Sequence, residues 1–154
     1  MRSLFILLAF LALADPVRGQ PSRNAGVSPP EVAAVLRGAG YPADDTDDRA
    51  GGPQIRSSTG KIGFSVRFSR CDSELRCATV AFATAFPRGY VSTATVNAWN
   101  RQAQYARAVQ DKNGTAELAM EIDTSHGMSA DAISANIQDW ITALNGFASF
   151  IARQ

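Results

Sequence analysis

Two stretches of alternating apolar residues, one leading to a cysteine and one following a cysteine, constrain the fold of this chain more than any other feature. Large apolar side chains share one parity in both: Ile62, Phe64, Val66 and Phe68 ahead of Cys71, and Val80, Phe82 and Phe86 after Cys77, with Thr84 at the remaining position. A period of two is typical of a β-strand with one buried face. The two stretches therefore predict an antiparallel hairpin.

The cysteines give the register of this hairpin. If Cys71 faces Cys77, the numbers of every facing pair sum to 148, and the apolar sides coincide, as in Val66 with Phe82. A shift of one residue would turn one apolar set away. The Cα atoms of Cys71 and Cys77 then lie about 5 Å apart, which a disulfide spans. We predict a structural disulfide, with a redox-active pair, a metal-binding pair and two free thiols as the alternatives.

Residues 1–14 have the features of a secretory signal peptide. Arg2 supplies a positive start, an apolar run follows, and Ala12-Leu13-Ala14 matches a cleavage site before Asp15, with a weaker site after Gly19. A run of about ten apolar residues is too short for a bilayer core, which needs roughly 20. We therefore predict a periplasmic or secreted protein, without stable membrane insertion after cleavage, in a compartment where disulfides persist.

Residues 15–27 contain prolines, glycines and small polar residues, which predicts a flexible spacer, and the folded domain is predicted over residues 28–154. Loss of Arg2 with the leader leaves 14 basic and 14 acidic side chains. A nucleic-acid-binding domain would instead carry a strongly basic face. We expect no nucleic-acid partner.

Three helices are predicted around the sheet. Ser28, two prolines and Glu31 form a helix start with a capping box. Ser129 begins an amphipathic helix over residues 130–153. A middle helix starts near Ser92 or Thr93, and its inner side is predicted to carry four apolar residues: Val96, Trp99, Ala103 and Ala106.

Further strands are predicted beside the first hairpin. One covers residues 55–59, and a second hairpin covers 107–110 and 116–123, with its turn at Asn113-Gly114. The acidic stretch 44–48 is predicted to be an exposed loop rather than a calcium site, since it lacks the glycine and glutamate of a calcium-binding loop. The predicted order is α-β-β-β-α-β-β-α, an α+β domain whose helices pack on an antiparallel sheet.

Several motifs in this order resemble one family. The most specific is Asn97-Ala98-Trp99-Asn100 in the middle helix; the others are Gly52-Pro53-Gln54-Ile55, Phe64 to Cys71, Cys77, Tyr105-Ala106-Arg107-Ala108 and Asp111-Lys112-Asn113-Gly114. Together they resemble the YbjN family of bacterial sensory transduction regulators over about residues 31–151. The chain is similar to the exported branch of that family, which carries a cysteine pair.

The resemblance implies a fold similar to that of type III secretion chaperones. It also implies a regulatory role without an established catalytic activity or cofactor, and binding to a protein partner, with a homodimer as one candidate assembly. Asn97, Trp99 and Asn100 form the family motif. A packing role between helix and sheet and a role as a contact site both stay open for these three residues.

The residues themselves offer little catalytic chemistry. His126 lies in a predicted loop, and Glu117, Glu121 and Asp123 share the polar side of one strand, the usual pattern of a solvated face. The chain has no nucleophile elbow, phosphate-binding glycine loop or zinc-protease motif. Two cysteines and one histidine are too few for a structural zinc site. We predict no catalytic residues, no metal and no cofactor.

The sequence favours a non-catalytic exported binding or regulatory module of the bacterial envelope. The alternatives are a small-ligand sensor with a pocket at Trp99 and Trp140, and an uncharacterised envelope enzyme. The expected contact surface is the small-residue side of the first hairpin, unless the last helix covers it: Gly63, Ser65, Ala81, Ala83 and Ala85.

Overall fold

The computed structural model of the protein describes residues 25–48 and 50–153. Within these ranges the elements follow in the order α1 Pro29–Gly38, β1 Asp44–Asp47, β2 Pro53–Thr59, β3 Ile62–Cys71, β4 Cys77–Phe86, α2 Thr93–Gln102, β5 Arg107–Gln110, β6 Ala116–Asp123 and α3 Ala130–Ile151. The predicted α+β class, with helices on an antiparallel sheet, is confirmed. The predicted signal peptide, residues 1–14, and most of the predicted spacer, residues 15–27, lie outside the described residues.

The sheet has one strand more than the sequence predicts. Residues 44–48 were expected to form a loop, but Asp44–Asp47 forms β1 and pairs antiparallel with β2. Aspartate has low strand propensity, and pairing with the neighbouring strand overrides it here. The expected exposure holds for the three aspartates of β1, so this strand is an acidic edge.

The described strands form one antiparallel sheet in the order β1-β2-β3-β4-β6-β5. After β4 the chain passes through α2 to the edge strand β5, then returns to place β6 beside β4. The predicted register of the first hairpin is confirmed from Ser65, which faces Ala83, to Cys71, which faces Cys77. The Cys71–Cys77 disulfide is formed, with Cα atoms 3.8 Å apart rather than the predicted ~5 Å.

Even-numbered positions of β4 and β6, and those of β3 as far as Phe68, point to one side of the sheet, which the three helices cover. Trp140 of α3 lies at the centre of this core, with its ring centroid 5.8 Å from those of Phe64 and Phe82. α1 contributes Val32 and Leu36 to the same cluster. We call this side the covered face. Burial of these alternating side chains is the main term that holds the helices to the sheet.

Each helix begins at a serine that the sequence identifies. Ser28 and Glu31 form the predicted capping box of α1, and the hydroxyl oxygens of Ser92 and Ser129 accept hydrogen bonds from backbone N–H groups at the starts of α2 and α3. α2 ends at Gln102, before two of its predicted inner residues, because Ala103 is already extended. α3 ends at Ile151 rather than 153. None of the helices in the described part of the chain is long and apolar enough to span a bilayer.

The chain enters the domain beside the disulfide. Val27, in the last part of the predicted spacer, is buried and forms an antiparallel bridge with Cys77. Gly26 lies so close to Cys77 that an added Cβ would stand 2.6 Å from its carbonyl oxygen. Ordered packing therefore includes Val27, one residue before the cap of α1.

Candidate interaction surface

The odd-numbered positions of β3, β4 and β6 form the opposite side of the sheet, and no described helix packs on it. We call this side the open face. All three helices contribute to the single core on the covered face, so the terminal helix leaves the small-residue side of the first hairpin free. The residues that the sequence predicts as a contact surface lie together on it: Gly63, Ser65, Ala81, Ala83 and Ala85.

The open face contains a groove of about 630 Å³. Ala83 and Ala85 belong to its floor, and a second hollow of about 390 Å³ beside Gly63 and Ser65 shares these alanines. The groove walls are the β1–β2 connection and the β5–β6 turn, which contribute Asp48, Ala50, Asp111 and Thr115. The two turns thus stand on either side of a shallow trough with a floor of small side chains.

An ion pair crosses this floor. The Arg67 guanidinium on β3 lies 3.0 Å from the Glu117 carboxylate on β6, two strands away. Arg67 faces Ala81 and Glu117 faces Ala85, so the pair passes over Ala83, which is only 3% exposed although no helix covers it. A larger side chain at Ala83 would obstruct this path. No local sequence pattern predicts this pair, because none places β6 beside β4.

Both edges of the sheet are closed to further strands. At one edge, β1 presents the exposed carboxylates of Asp44, Asp45 and Asp47. At the other edge, the Asn100 side chain on α2 accepts a hydrogen bond from Ala108 N–H at 2.8 Å and donates one to Ala108 C=O at 2.7 Å. Asn100 thus takes the position of a neighbouring strand. Charged edges and covered edges both prevent edge-to-edge pairing, so the open face is the accessible part of the sheet.

The other motif residues differ from each other in their surroundings. The Trp99 indole N–H donates to the Ala106 carbonyl at 3.2 Å, and its ring packs on Phe147 and Phe150 of α3. Asn97 is exposed on α2. Trp99 and Asn100 therefore attach α2 to β5 and α3, whereas Asn97 points to solvent. The indole packing also explains why Phe150, which lies off the apolar stripe of α3, is partly buried.

The candidate catalytic residues do not converge on a buried site. His126 is exposed, and Glu117, Glu121 and Asp123 are spread along the open face of β6. Hydrogen bonds from Ser125 lower the pKa of Asp123, and Arg70 and His126 act in the same direction. A carboxylate held ionised in this way is a poor general acid or base near neutral pH. In residues 25–48 and 50–153, no cluster of three His, Cys, Asp or Glu side chains has the geometry of a metal site.

Trp99 and Trp140 do not line a common pocket. Trp140 is fully buried between the sheet and α3. A hollow of about 210 Å³ lies beside Trp99 between α2 and α3, where Tyr105 and Gly146 also line it. The two tryptophans thus occupy separate environments and do not form the shared pocket that a small-ligand sensor was predicted to have.

The disulfide lies at a junction of four segments. Cys77 exchanges backbone hydrogen bonds with Val27, and its carbonyl also accepts the Thr124 hydroxyl at 2.7 Å. The loop closed by the disulfide includes Arg76, whose guanidinium lies 2.7 Å from the Glu31 carboxylate on α1. Partial burial raises the pKa of Glu31, but hydrogen bonds from Ser28 and Arg76 outweigh it, so the net pKa lies below the ordinary value.

One similar solved structure is the type III secretion chaperone SycH of Yersinia pestis in complex with a stable fragment of YscM2, with a TM-score of 0.45 and 11% sequence identity. The alignment covers 75% of this chain and 96% of that chain. No curated protein matches the sequence. The profile of the YbjN family, described as "Putative bacterial sensory transduction regulator", matches residues 28–153. The chain therefore belongs to the YbjN family.

Proposed function

We propose that this protein is an exported, non-catalytic regulatory module of the bacterial envelope that binds a protein partner on the open face of its sheet. The observation that carries the proposal is the groove over Ala83 and Ala85, bounded by two turns and left uncovered by all three helices. A concave surface of this size on a sheet with closed edges is suited to a segment of another chain.

The charges of the groove favour a polypeptide over a nucleic acid. Among the described residues, its lining carries one cation, Arg67, and three carboxylates, those of Asp48, Asp111 and Glu117. A nucleic-acid site would require a predominance of cations to neutralise phosphates. A protein segment with charges of both signs matches this pattern and would also select one orientation of the partner.

The disulfide and the leader support export. Disulfides persist in the periplasm and outside the cell, whereas cytosolic thiols are kept reduced. The Cys71–Cys77 pair is bonded, and residues 1–14 carry the features of a cleaved signal. We propose a periplasmic or secreted location on these two grounds.

The alternative functions have weaker support. The hollow at Trp99, about 210 Å³, is below the ~300 Å³ typical of small-ligand pockets. The carboxylates of β6 and His126 do not face each other across a cleft that excludes water. A small-ligand sensor and an envelope enzyme are therefore second choices.

The proposal is tested by blocking the groove. The tagged mature protein would be cross-linked in the envelope and its neighbours quantified by mass spectrometry, for the wild type, Ala85→Arg and Ala94→Arg. Ala85 lies in the groove and Ala94 is an exposed alanine of α2, so the second variant adds the same side chain elsewhere. We expect a partner that the wild type and Ala94→Arg capture equally and that Ala85→Arg captures at least tenfold less.

Equal capture by all three forms, with unchanged thermal unfolding, would contradict the proposal. Native mass spectrometry of the same three proteins tests whether the partner is a second copy. A dimer that Ala85→Arg alone converts to a monomer would place the homodimer interface on the open face. A dimer that Ala85→Arg preserves would place that interface elsewhere.

A further inference from the structure

Leu75 combines two unfavourable properties at the tip of the disulfide loop. Its φ is +57°, in the left-handed region that favours glycine or asparagine, and its side chain is 50% exposed. A leucine in this position gains little from burial to offset the backbone strain. The loop would therefore be more stable with another residue at position 75.

The loop holds its shape without help from the Leu75 side chain. The Asp72 carboxylate accepts hydrogen bonds from Glu74 N–H at 2.8 Å and Arg76 N–H at 2.9 Å, which is an Asx-type turn. The Cys71–Cys77 disulfide closes the loop, and the Arg76–Glu31 ion pair attaches it to α1. Leu75 is thus presented on a support that other residues fix.

Leu75 forms one wall of a cleft of about 360 Å³. Pro29 and Pro30 at the start of α1 and Pro53 at the start of β2 belong to the same cleft. Proline rings have fixed backbone φ and few side-chain conformations, so a cleft built on them loses little entropy when a ligand enters. The cleft is therefore an apolar surface formed before any partner arrives.

The charged residues of the cleft are all acidic. Asp45 and Asp47 of β1 belong to its lining, and the described lining residues include no lysine, arginine or histidine. The Arg37 guanidinium on α1 lies 4.0 Å from the Asp45 carboxylate in an exposed ion pair, so Asp47 is the main acidic group available to a ligand. Glu74 precedes Leu75 in the loop and is exposed. An apolar side chain with a cation beside it would match both properties of the cleft at once, since the carboxylates raise the local concentration of positive charge.

We propose that this cleft, bounded by Leu75 and the three prolines, binds a segment of a partner protein in which an apolar side chain is flanked by lysine or arginine. The apolar side chain enters between Leu75 and the prolines, and the cation lies at Asp47, next to the Asp45–Arg37 ion pair. Among the described lining residues this cleft shares Gln54 with the groove on the open face and no other, so the two proposals are tested by different substitutions.

The test uses a phage-displayed library of random nonapeptides, selected on the oxidised full-length mature protein. We expect enriched peptides to share an apolar residue next to lysine or arginine. The affinity of the best peptide, measured by fluorescence polarisation, should fall at least tenfold in Leu75→Asn. In Asp47→Asn it should fall about threefold, with a weaker dependence on salt.

Leu75→Asn also has a readout that separates binding from folding. Asparagine tolerates positive φ, so the melting temperature of this variant should rise by about 2–4 °C while peptide affinity falls. Tyr105→Ser is the matched control, because Tyr105 is 48% exposed but lies away from the cleft, and its peptide affinity should equal that of the wild type.

The proposal is overturned if no peptide class is enriched, if the enriched peptides carry acidic rather than basic residues, or if Leu75→Asn binds them as tightly as the wild type. Ala85→Arg, which blocks the open groove, should leave peptide affinity unchanged. Loss of peptide affinity in Ala85→Arg but not in Leu75→Asn would move the peptide to the open face and reject the cleft.

Discussion

Val66 and Arg67 are neighbours in β3, yet they lie on opposite faces of the sheet and contribute differently. Val66 is fully buried under the helices, where burial of such a side chain stabilises by about 1.5–3 kcal/mol. Arg67 spans β4 to a partly exposed ion pair with Glu117, a type of contact worth about 0–1 kcal/mol. The covered face thus supplies most of the stability. The open face supplies a shaped surface, and substitutions there should change the free energy of unfolding little.

The largest change in stability is expected at Trp140. Trp140→Ala should lower the free energy of unfolding by about 3–5 kcal/mol, because it leaves a cavity at the centre of the covered face. Urea unfolding followed by circular dichroism measures the change. Arg67→Ala, on the open face, should cost less than about 1 kcal/mol.

Trp140→Phe is the finer control for the same position. The buried Trp140 indole N–H has no acceptor among the described residues, so Trp140→Phe breaks no hydrogen bond between them. A phenyl ring fills most of the space, and the cost should stay below about 1.5 kcal/mol. Equal losses of unfolding free energy in Arg67→Ala and Trp140→Ala would contradict the conclusion that the covered face supplies most of the stability.

The next test is at the sheet edge. Asn100→Ala should cost about 1–3 kcal/mol in urea unfolding, since it leaves the N–H and C=O of Ala108 without their partner. It also opens β5 to other strands, so light scattering should detect self-association. Asn97→Ala, on the same helix but exposed, should change stability by no more than about 0.5 kcal/mol. A larger cost for Asn97→Ala would assign the motif another structural role.

Loss of the disulfide is expected to lower the free energy of unfolding by an intermediate amount. Its loop is short, with a sequence separation of 6, and the chain-entropy relation gives about 2 kcal/mol. Urea unfolding with and without reductant measures this difference. The double variant Cys71→Ala/Cys77→Ala should unfold like the reduced protein and be insensitive to reductant. A reduced protein as stable as the oxidised one would show that the hydrogen bonds of Val27 and Thr124 to Cys77 are sufficient to stabilise this part of the fold.

The smallest change in the free energy of unfolding is expected at Glu31. Its pKa in the folded protein lies below the ordinary 4.5, so the carboxylate stabilises the fold above that pH, and this stability is lost as the pH falls through the folded pKa. The side chain is 46% exposed, so solvent screening keeps the effect below about 1 kcal/mol. Unfolding of wild type and Glu31→Gln should differ at pH 7 and converge toward pH 3. A difference that does not change with pH would contradict this assignment.

Local patterns in the sequence were sufficient for the elements with strong periodicity. The hairpin register follows from two cysteines and the parity of Val66 and Phe82, because a slip by one residue would expose one apolar set. The capping serines of all three helices follow from side-chain chemistry in the first turn. The small-residue side of β3 and β4 is also evident from the sequence. Of the two predicted arrangements, covered by the last helix or free, the structure has the second.

The remaining features depend on contacts between distant segments. β1 has the composition of a turn and becomes a strand only because β2 lies beside it. The Arg67–Glu117 pair requires β6 next to β4, an order that no local pattern encodes. The two hydrogen bonds between Asn100 and Ala108 depend on how residues 103–106 bring the chain back alongside α2. The edges and the groove of the candidate surface were therefore beyond the reach of sequence patterns.

The alternation of the two faces makes this domain suitable as an engineering scaffold. Even-numbered side chains from Ile62 to Phe68 of β3, from Val80 to Phe86 of β4 and from Ala116 to Ile122 of β6 pack under the helices, so most odd-numbered positions between them can vary without change to the core. A combinatorial library that randomises Ser65, Arg67, Ala81 and Ala85 should yield mostly folded members, from which new specificities are selected without redesign of the core.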